Sequence, residues 1–466
     1  MYEMKRLQIF ALALAAVFVI AGCEQGYEVL VDGNSDRYQS SQNAIISLRN
    51  EAGQAYYTTV EMRREQQDVN LTGRLLGHAS VGVDAVLSFG DADMVEQYNA
   101  TYGTSYEMFP VEDAELSTDE MVFSMGSSKS IGSVRVTLDA KGIRPDVTYM
   151  LPVLTRTDTK GVVAGDPMYI LVKDYRSIPN NDKGIKLFNC IESDENSILD
   201  NLAFRLKNSG KYLIDVLIIF TSGGDVNYST TTGEINIPSN GGTINHVAHQ
   251  KEIIEEVHKR GVKVICTVTT RGIAQLELET AKDFARKLAD FVYSHNLDGV
   301  FFDTEYTTYD STRPGFTSSS TENMTRFLLE VKRAMPDKLL VTYLYSNLSA
   351  LRYVTECDGV PLKDFVDYGL NDYGASIAPA ALGKERVGIY SDNFVLYYNS
   401  LWCDSESYCK KAGEYGAHMF YCFTTGRYLD PSTQYNTARK CISNIARLWY
   451  NDEVVCEPLD DIHKDW

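Results

Sequence analysis

The chain has 466 residues, two to three times the usual length of one domain, so more than one is expected. Its 44 Lys and Arg against 63 Asp and Glu leave a net charge of −19, which excludes a protein that gains affinity by neutralising nucleic-acid phosphates. With 44% hydrophobic residues and only 12 prolines, it can build a sizeable core and does not have the composition of a disordered chain. Tyrosine is over-used, 30 residues against 3 tryptophans. Its flat ring with a polar tip suits a surface that grips polar ligands, although a plain strand preference accounts for the excess as well.

At the start, Lys5 and Arg6 precede an apolar run from Leu7 to Ile20. Such a run is too short to span a bilayer comfortably and fits the core of a signal peptide. Ile20-Ala21-Gly22-Cys23 resembles the lipobox of bacterial lipoproteins. That resemblance implies removal of residues 1–22, acylation of Cys23, and a membrane attachment through the lipid, at the outer-membrane surface of the envelope. A plain secretory signal followed by an incidental Cys is the alternative. Eight cysteines then remain, from Cys190 onward, without any C-x-x-C pair, which excludes a zinc ribbon or thioredoxin-type motif. Cys190, Cys266 and Cys422 sit in apolar runs as small core residues. Cys403 with Cys409, or Cys441 with Cys456, is close enough in sequence to pair in an oxidising compartment.

From residue 23 to 176 the pattern is one of short alternating runs broken by turns, such as Ser133-Val134-Arg135-Val136-Thr137-Leu138. It predicts an all-β, sandwich-like accessory domain, with one helix around Asp91 to Tyr102. Residues 177–184, Ser-Ile-Pro-Asn-Asn-Asp-Lys-Gly, form a polar, turn-rich linker. Beyond it, from 185 to 456, apolar strands alternate with amphipathic helices. The strands are expected at Ile185–Ile191, Leu213–Thr221, Val262–Thr269, Gly299–Thr304, Lys338–Tyr345, Phe365–Leu370, Arg386–Tyr390 and Ala417–Phe423. Eight apolar strands of this kind, covered by helices such as Glu279–His295 and Glu322–Met335, predict a parallel α/β TIM barrel. Residues 457–466 read as an acidic, solvated tail. A doubly wound sheet is the alternative, but no Gly-rich phosphate loop follows the first strand.

In such a barrel the chemistry sits at the C-terminal ends of the strands. The fourth strand ends Phe301-Phe302-Asp303-Thr304-Glu305-Tyr306. Carboxylates at i and i+2 on a strand point to the same side, and their mutual repulsion raises the pKa of at least one.

The stretch Leu297-Asp298-Gly299-Val300-Phe301-Phe302-Asp303-Thr304-Glu305-Tyr306 resembles the strand-four signature D-x-x-D-x-D-x-E of glycoside hydrolase family 18. More closely it is similar to the endo-β-N-acetylglucosaminidase branch, with Phe301 standing where the general signature has its middle Asp. The resemblance implies that Glu305 is the general acid/base, that Asp303 stabilises the reacting acetamido group, and that Asp298, grouped with the substrate-binding residues, is mainly structural. Asp367-Tyr368-Gly369-Leu370-Asn371-Asp372-Tyr373-Gly374 resembles the branch's sixth-strand stretch, one residue short before Gly374. It implies sugar contacts for Asn371 and Tyr373, with Tyr421 and Tyr306 beside them. The segment Ala417–Gly426 lacks the Trp that chitinases of the family carry there.

The activity implied is hydrolysis between the two core N-acetylglucosamines of N-linked glycans on glycoproteins. The substrate's own 2-acetamido oxygen would act as nucleophile, without metal or organic cofactor. At the envelope, partners in a glycan-uptake complex are also expected. Two other readings stay open: a family-18-type lectin that binds glycan without cleaving it, and a chitinase-like hydrolase. His246 and His249, near Glu252, have metal-ligand spacing, but they fall on an amphipathic surface helix.

Overall fold

The computed structural model describes residues 44–457, apart from residues 52–54, 78, 80, 103, 146, 182, 195, 222–225, 238–241, 306–307, 374–377 and 432–435. The leader with Cys23, Tyr306 and residues 458–466 lie outside the described residues.

Several N-terminal strands bury every second residue, as Val83–Phe89 and Gln66–Leu76 do, which is the pattern of sheets with one face on a core; Thr148–Arg156 and Met168–Asp174 are buried on both faces over most of their length. One sheet runs in the order Val162–Ala164, Ala44–Arg49, Gln66–Leu76, Val134–Asp139, Ala114–Leu116. The other runs Tyr57–Met62, Met168–Asp174, Thr148–Arg156, Val83–Phe89, Glu120–Phe123. Both contribute to one apolar cluster that includes Leu48, Leu71, Phe123, Val136, Leu151 and Ile170. The pairing is mixed: Ala44–Arg49 lies parallel to Val162–Ala164, and Tyr57–Met62 lies parallel to Met168–Asp174. The helix Ala92–Tyr102 is inserted after Val83–Phe89.

The second half of the chain forms a nearly closed, all-parallel sheet. Its order is Lys186–Glu192, Val216–Phe220, Lys263–Thr269, Gly299–Asp303, Leu339–Leu344, Tyr368–Asn371 and Val387–Gly388. On the other side of Lys186–Glu192 follow Ala417–Tyr421 and Ser391–Asn393. The two outermost members are successive pieces of one segment. Val387–Gly388 pairs with strand six and Ser391–Asn393 with strand eight, so the seventh strand, interrupted at Ile389 and Tyr390, bridges the remaining gap. The interior is filled by alternate side chains from these strands, among them Phe188, Ile218, Ile265, Phe301, Val341, Leu370 and Met419, the layered filling expected of a barrel core.

At the N-terminal end of this barrel a single device recurs. Asp215, Asp298 and Asp367 each stand just before an even-numbered strand. Each accepts, through Oδ2, the backbone N–H at the start of the preceding strand: Leu187 at 2.9 Å, Val264 at 2.8 Å and Leu340 at 2.7 Å. The backbone N–H of each Asp returns a bond to the carbonyl of that same residue. Every one of these largely covered carboxylates has its own basic partner: Lys211 at 2.9 Å, His258 at 2.7 Å and Lys332 at 2.8 Å. Neighbouring strands are thereby locked in register at the end remote from the chemistry. Gly299 permits the same closeness. A Cβ there would lie 2.1 Å from the Leu339 carbonyl oxygen, at a φ of +153°, so only glycine fits.

The N-terminal sheets lie against this same end. Asp337, at the entry to strand five, accepts hydrogen bonds from Tyr106 Oη at 2.5 Å, from Tyr98 Oη at 3.5 Å, and from Tyr293 of the barrel helix Leu278–Ser294. The Lys332 ammonium lies 5.3 Å from the ring centre of Tyr57. A polar cavity of about 1160 Å3 lies here, lined by Tyr106, Tyr175, His258, Asp298 and Lys338. These contacts fall at the N-terminal end of the barrel strands.

Replacing Asp367 by Asn strands the Lys332 ammonium, whose side chain is 2% exposed, without a counter-charge. The expected cost is about 3–5 kcal/mol of unfolding free energy in a denaturant titration. Adding Lys332→Met to that variant should recover most of the loss. If the double variant is as unstable as the single one, the clamp is not limited by the buried charge.

Candidate active site

Gly299–Asp303 is buried at all five positions, so the burial pattern alone does not reveal its two faces. Neighbours do. Phe302 packs edge-on against Phe327 of the covering helix Thr321–Ala334, ring centres 5.6 Å apart. Phe301 faces the barrel interior beside Tyr343, at 6.1 Å. Strand alternation then points Asp303 inward as well, directly above Phe301. The phenyl ring that replaces the signature's middle acid forms an apolar floor beneath it.

Asp303 is 5% exposed, and its Oδ1 has no hydrogen-bond partner among the described residues. Burial, then the Glu305 charge, then the Asp372 charge push its pKa up to about 8, so at neutral pH this carboxyl keeps its proton. Glu305, beyond the last paired residue, is half-buried.

Tyrosines and two further acids surround the pair. Tyr343 donates to Asp372 Oδ1 at 2.5 Å, and Tyr421 donates to the Glu192 carboxylate at the end of strand one. Burial and these carboxylate partners hold both phenols far above their ordinary range, so they remain neutral donors. The Tyr373 ring lies 6.2 Å from Tyr343, 5.8 Å from Tyr421 and 6.2 Å from Tyr397. Its carbonyl accepts the Trp402 indole N–H at 2.5 Å. Glu192, Glu305 and Asp372 make the rim around the protonated Asp303 acidic, suited to a reaction in which positive charge develops on the substrate.

The structure therefore gathers Asp303, Glu305, Tyr373 and Tyr421 at one end of the barrel. Two of the residues expected to contact sugar are bonded within the barrel itself. Asp298 opens the strand rather than closing it. Burial alone would raise its pKa, yet the charge and hydrogen bond of His258, with Lys173 and Lys338, hold the carboxyl well below the usual range. It is a clamp residue about 16 Å of strand away from Asp303. Asn371 is fully buried, and its amide donates to the Gly388 carbonyl at 2.7 Å, tying strand six to the divided strand seven. None of the eight described cysteines is in a disulfide. His246, His249 and Glu252 do not converge into a ligand group among the described residues.

Tyr343, Asp372, Glu192 and Trp402 escaped the reading of the sequence. Tyr343 was within reach, since it lies two residues before Tyr345, the expected end of the fifth strand. Glu192 also carried a signal, as an acid ending a barrel strand. Trp402 carried none, because it arrives from a loop far along the chain.

A buried acid held neutral, with a second acid two residues on, at the C-terminal rim of a parallel β/α barrel, defines a barrel hydrolase that works by acid/base chemistry. The comparisons narrow this. Endo-β-N-acetylglucosaminidase F1 of Elizabethkingia meningoseptica is 32% identical over 293 residues, 60% of this chain and 83% of the relative. The crystal structure of EndoBT-3987 from Bacteroides thetaiotamicron with Man5GlcNAc product superposes with a TM-score of 0.73, at 24% identity, over 88% of this chain and 96% of that one. The structure of the same protein in complex with Man9GlcNAc2Asn substrate gives 0.67 at 23% identity, over 88% and 95%. A family model described as "-like, N-terminal domain" matches residues 38–160. The chain belongs to the family of endo-β-N-acetylglucosaminidase F1, the endoglycosidase branch of glycoside hydrolase family 18.

The neutral Asp303 has a consequence for stability. Between pH about 4, where a free Asp titrates, and pH about 8, the folded state binds more protons than the unfolded one. This residue's contribution therefore becomes less favourable as pH rises through that window. Asp303→Asn should gain Tm relative to the native protein from pH 4 to pH 8, and the gain should level off above. A Tm difference independent of pH would show that Asp303 is not held neutral.

Proposed function

We propose that the protein is an endo-β-N-acetylglucosaminidase that hydrolyses the bond between the two core N-acetylglucosamines of N-linked glycans, with retention at the anomeric carbon. The observation that carries this reading is the Asp303 and Glu305 pair, with Asp303 buried and protonated over the Phe301 ring. Membership of a family whose named relative is an endo-β-N-acetylglucosaminidase supplies the substrate class.

In the free enzyme the pair holds a proton on Asp303. The 2-acetamido N–H of a bound sugar needs an acceptor, and the positive charge that develops on the ring favours an anion beside it. Both effects make Asp303 give up its proton, and Glu305 is the neighbouring base that takes it. Glu305 then delivers that proton to the glycosidic oxygen as the acetamido oxygen attacks the anomeric carbon and the C–O bond breaks. The resulting oxazolinium is stabilised by Asp303 within the anionic rim. Glu305, now ionised, removes a proton from the water that opens the ring, and the pair regains its proton. Tyr343 and Tyr421, as neutral donors fixed on Asp372 and Glu192, hold the walls of the site.

The same reading makes residues 23–176 a sandwich-like accessory domain and residues 185–456 the catalytic barrel. It places the protein at the outer-membrane surface on a lipid at Cys23, supplied with glycan by the partners of an uptake complex. Seating of the N-terminal sheets against the far end of the barrel supports this arrangement, because it leaves the catalytic rim open to large substrates.

Incubation of residues 24–466 with a denatured high-mannose glycoprotein should leave one N-acetylglucosamine on each released site by mass. Glu305→Gln should cut the rate by about 100- to 10,000-fold while glycan binding and thermal unfolding stay near native. Unchanged glycoprotein mass with tight glycan binding would make the chain a lectin, and cleavage of chitin oligomers alone would make it a chitinase. Near-native turnover by the Gln variant would remove Glu305 from the role of acid.

A further inference from the structure

Behind the Tyr373 wall, four side chains from four separate pieces of chain meet with no access to solvent. Asp392 comes from strand piece Ser391–Asn393, Cys403 from the turn Trp402–Asp404, His418 from strand Ala417–Tyr421 and Cys441 from the helix Asn436–Tyr450. Asp392 is 1% exposed and the other three are 0%. Asp392 Oδ2 lies 2.9 Å from His418 Nε2 and 3.6 Å from Cys441 Sγ, and Cys403 Sγ lies 3.8 Å from the same imidazole nitrogen. The carboxylate oxygen, the imidazole nitrogen and the Cys403 sulfur all fall within 4.8 Å of one another.

These are the ligand types that bind zinc. At zinc's usual bond lengths a tetrahedral site holds its nitrogen, oxygen and sulfur atoms about 3.3–3.6 Å apart. Two of the three measured separations are already close to that, and the third needs to open by a few tenths of an ångström. Without a cation, a buried carboxylate stands among two thiols and an imidazole whose Nδ1 has no partner among the described residues. Its other support is two backbone donors, the N–H groups of Trp402 at 2.5 Å and Cys403 at 3.4 Å.

The placement has a purpose as well as a chemistry. Asp392 and Cys403 are the two ends of the loop that carries Tyr397, 52% exposed, and that ends on Trp402, whose indole holds the Tyr373 carbonyl. One ion would join both ends of this loop to strand eight and to the C-terminal helix.

We propose that Asp392, Cys403, His418 and Cys441 bind one structural divalent cation of the zinc type, which staples the 392–403 loop beneath the wall of the active site. The site rests on this cluster alone and not on the proposed reaction, and its test needs no glycan. The full chain, produced with zinc and without a metal-binding tag, is dialysed against metal-free buffer and its metal content measured by mass spectrometry. About one zinc per chain is expected. Cobalt(II) exchanged into the same protein should give intense visible bands of a tetrahedral ion and a near-ultraviolet thiolate-to-metal band. Cys403→Ser should weaken binding at least tenfold and reduce the thiolate band, and His418→Ala should do the same. Should His418→Ala fail to fold, Cys441→Ser replaces it. A folded, reduced native protein that retains no zinc overturns the proposal. So does peptide mapping that finds Cys403 in a disulfide with Cys409 or Cys441, or cobalt spectra unchanged by Cys403→Ser.

Discussion

One barrel strand carries two buried carboxylates, and their burial is resolved in opposite ways. Desolvation penalises the ionised form of both. At Asp298 the penalty is outweighed by the His258 contact at 2.7 Å and the Val264 N–H at 2.8 Å, so the charge is kept. At Asp303 no donor answers Oδ1, the floor is the Phe301 ring, and the nearest charges are acidic. The proton is kept instead. Everything that fixes the strand is at one end and everything that makes it reactive is at the other.

The satisfied end stabilises the fold so that the unsatisfied end can exist. Asp215, Asp298 and Asp367 repeat one geometry at three strand junctions, each with its own basic side-chain partner. A carboxylate so held contributes register as well as energy, because one carboxylate oxygen and the residue's own N–H address a single residue of the neighbouring strand. The N-terminal sheets extend the same logic, bringing Tyr98 and Tyr106 onto Asp337. Many of the tyrosines that looked like a sugar-binding signal are spent in this joint. Those that do surround the carboxylates, Tyr343, Tyr373 and Tyr421, are set apart by what their tips or carbonyls touch: Asp372, Trp402 and Glu192.

Much of this was legible before any coordinate. The eight strands are apolar throughout because both faces of a parallel barrel are covered, and that continuous pattern is hard to mistake. The helix at Ala92–Tyr102 and the Asp303-x-Glu305 ending could be read for similarly local reasons. Asn371 could not. A polar residue ending a strand looks the same whether it faces a cleft or donates to Gly388, and the interruption of strand seven that it braces leaves no periodic trace. For the cysteines, closeness in sequence suggested Cys403 with Cys409, and the fold does bring those two thiols together; it also brings Cys441, distant in sequence, to the carboxylate that Cys403 contacts.

The amino-acid sequence by itself determined the kinds of strand and helix, their order, and the two acids that end the fourth strand, because these follow from periodicities of two and 3.6 and from adjacency along the chain. Only the tertiary structure decided which tyrosines form the wall, which acids are clamps, and which acid keeps a proton at neutral pH. Those outcomes depend on desolvation and on charges that arrive from other strands, Glu192 from the first and Asp372 from the sixth. A one-dimensional pattern does not contain those distances.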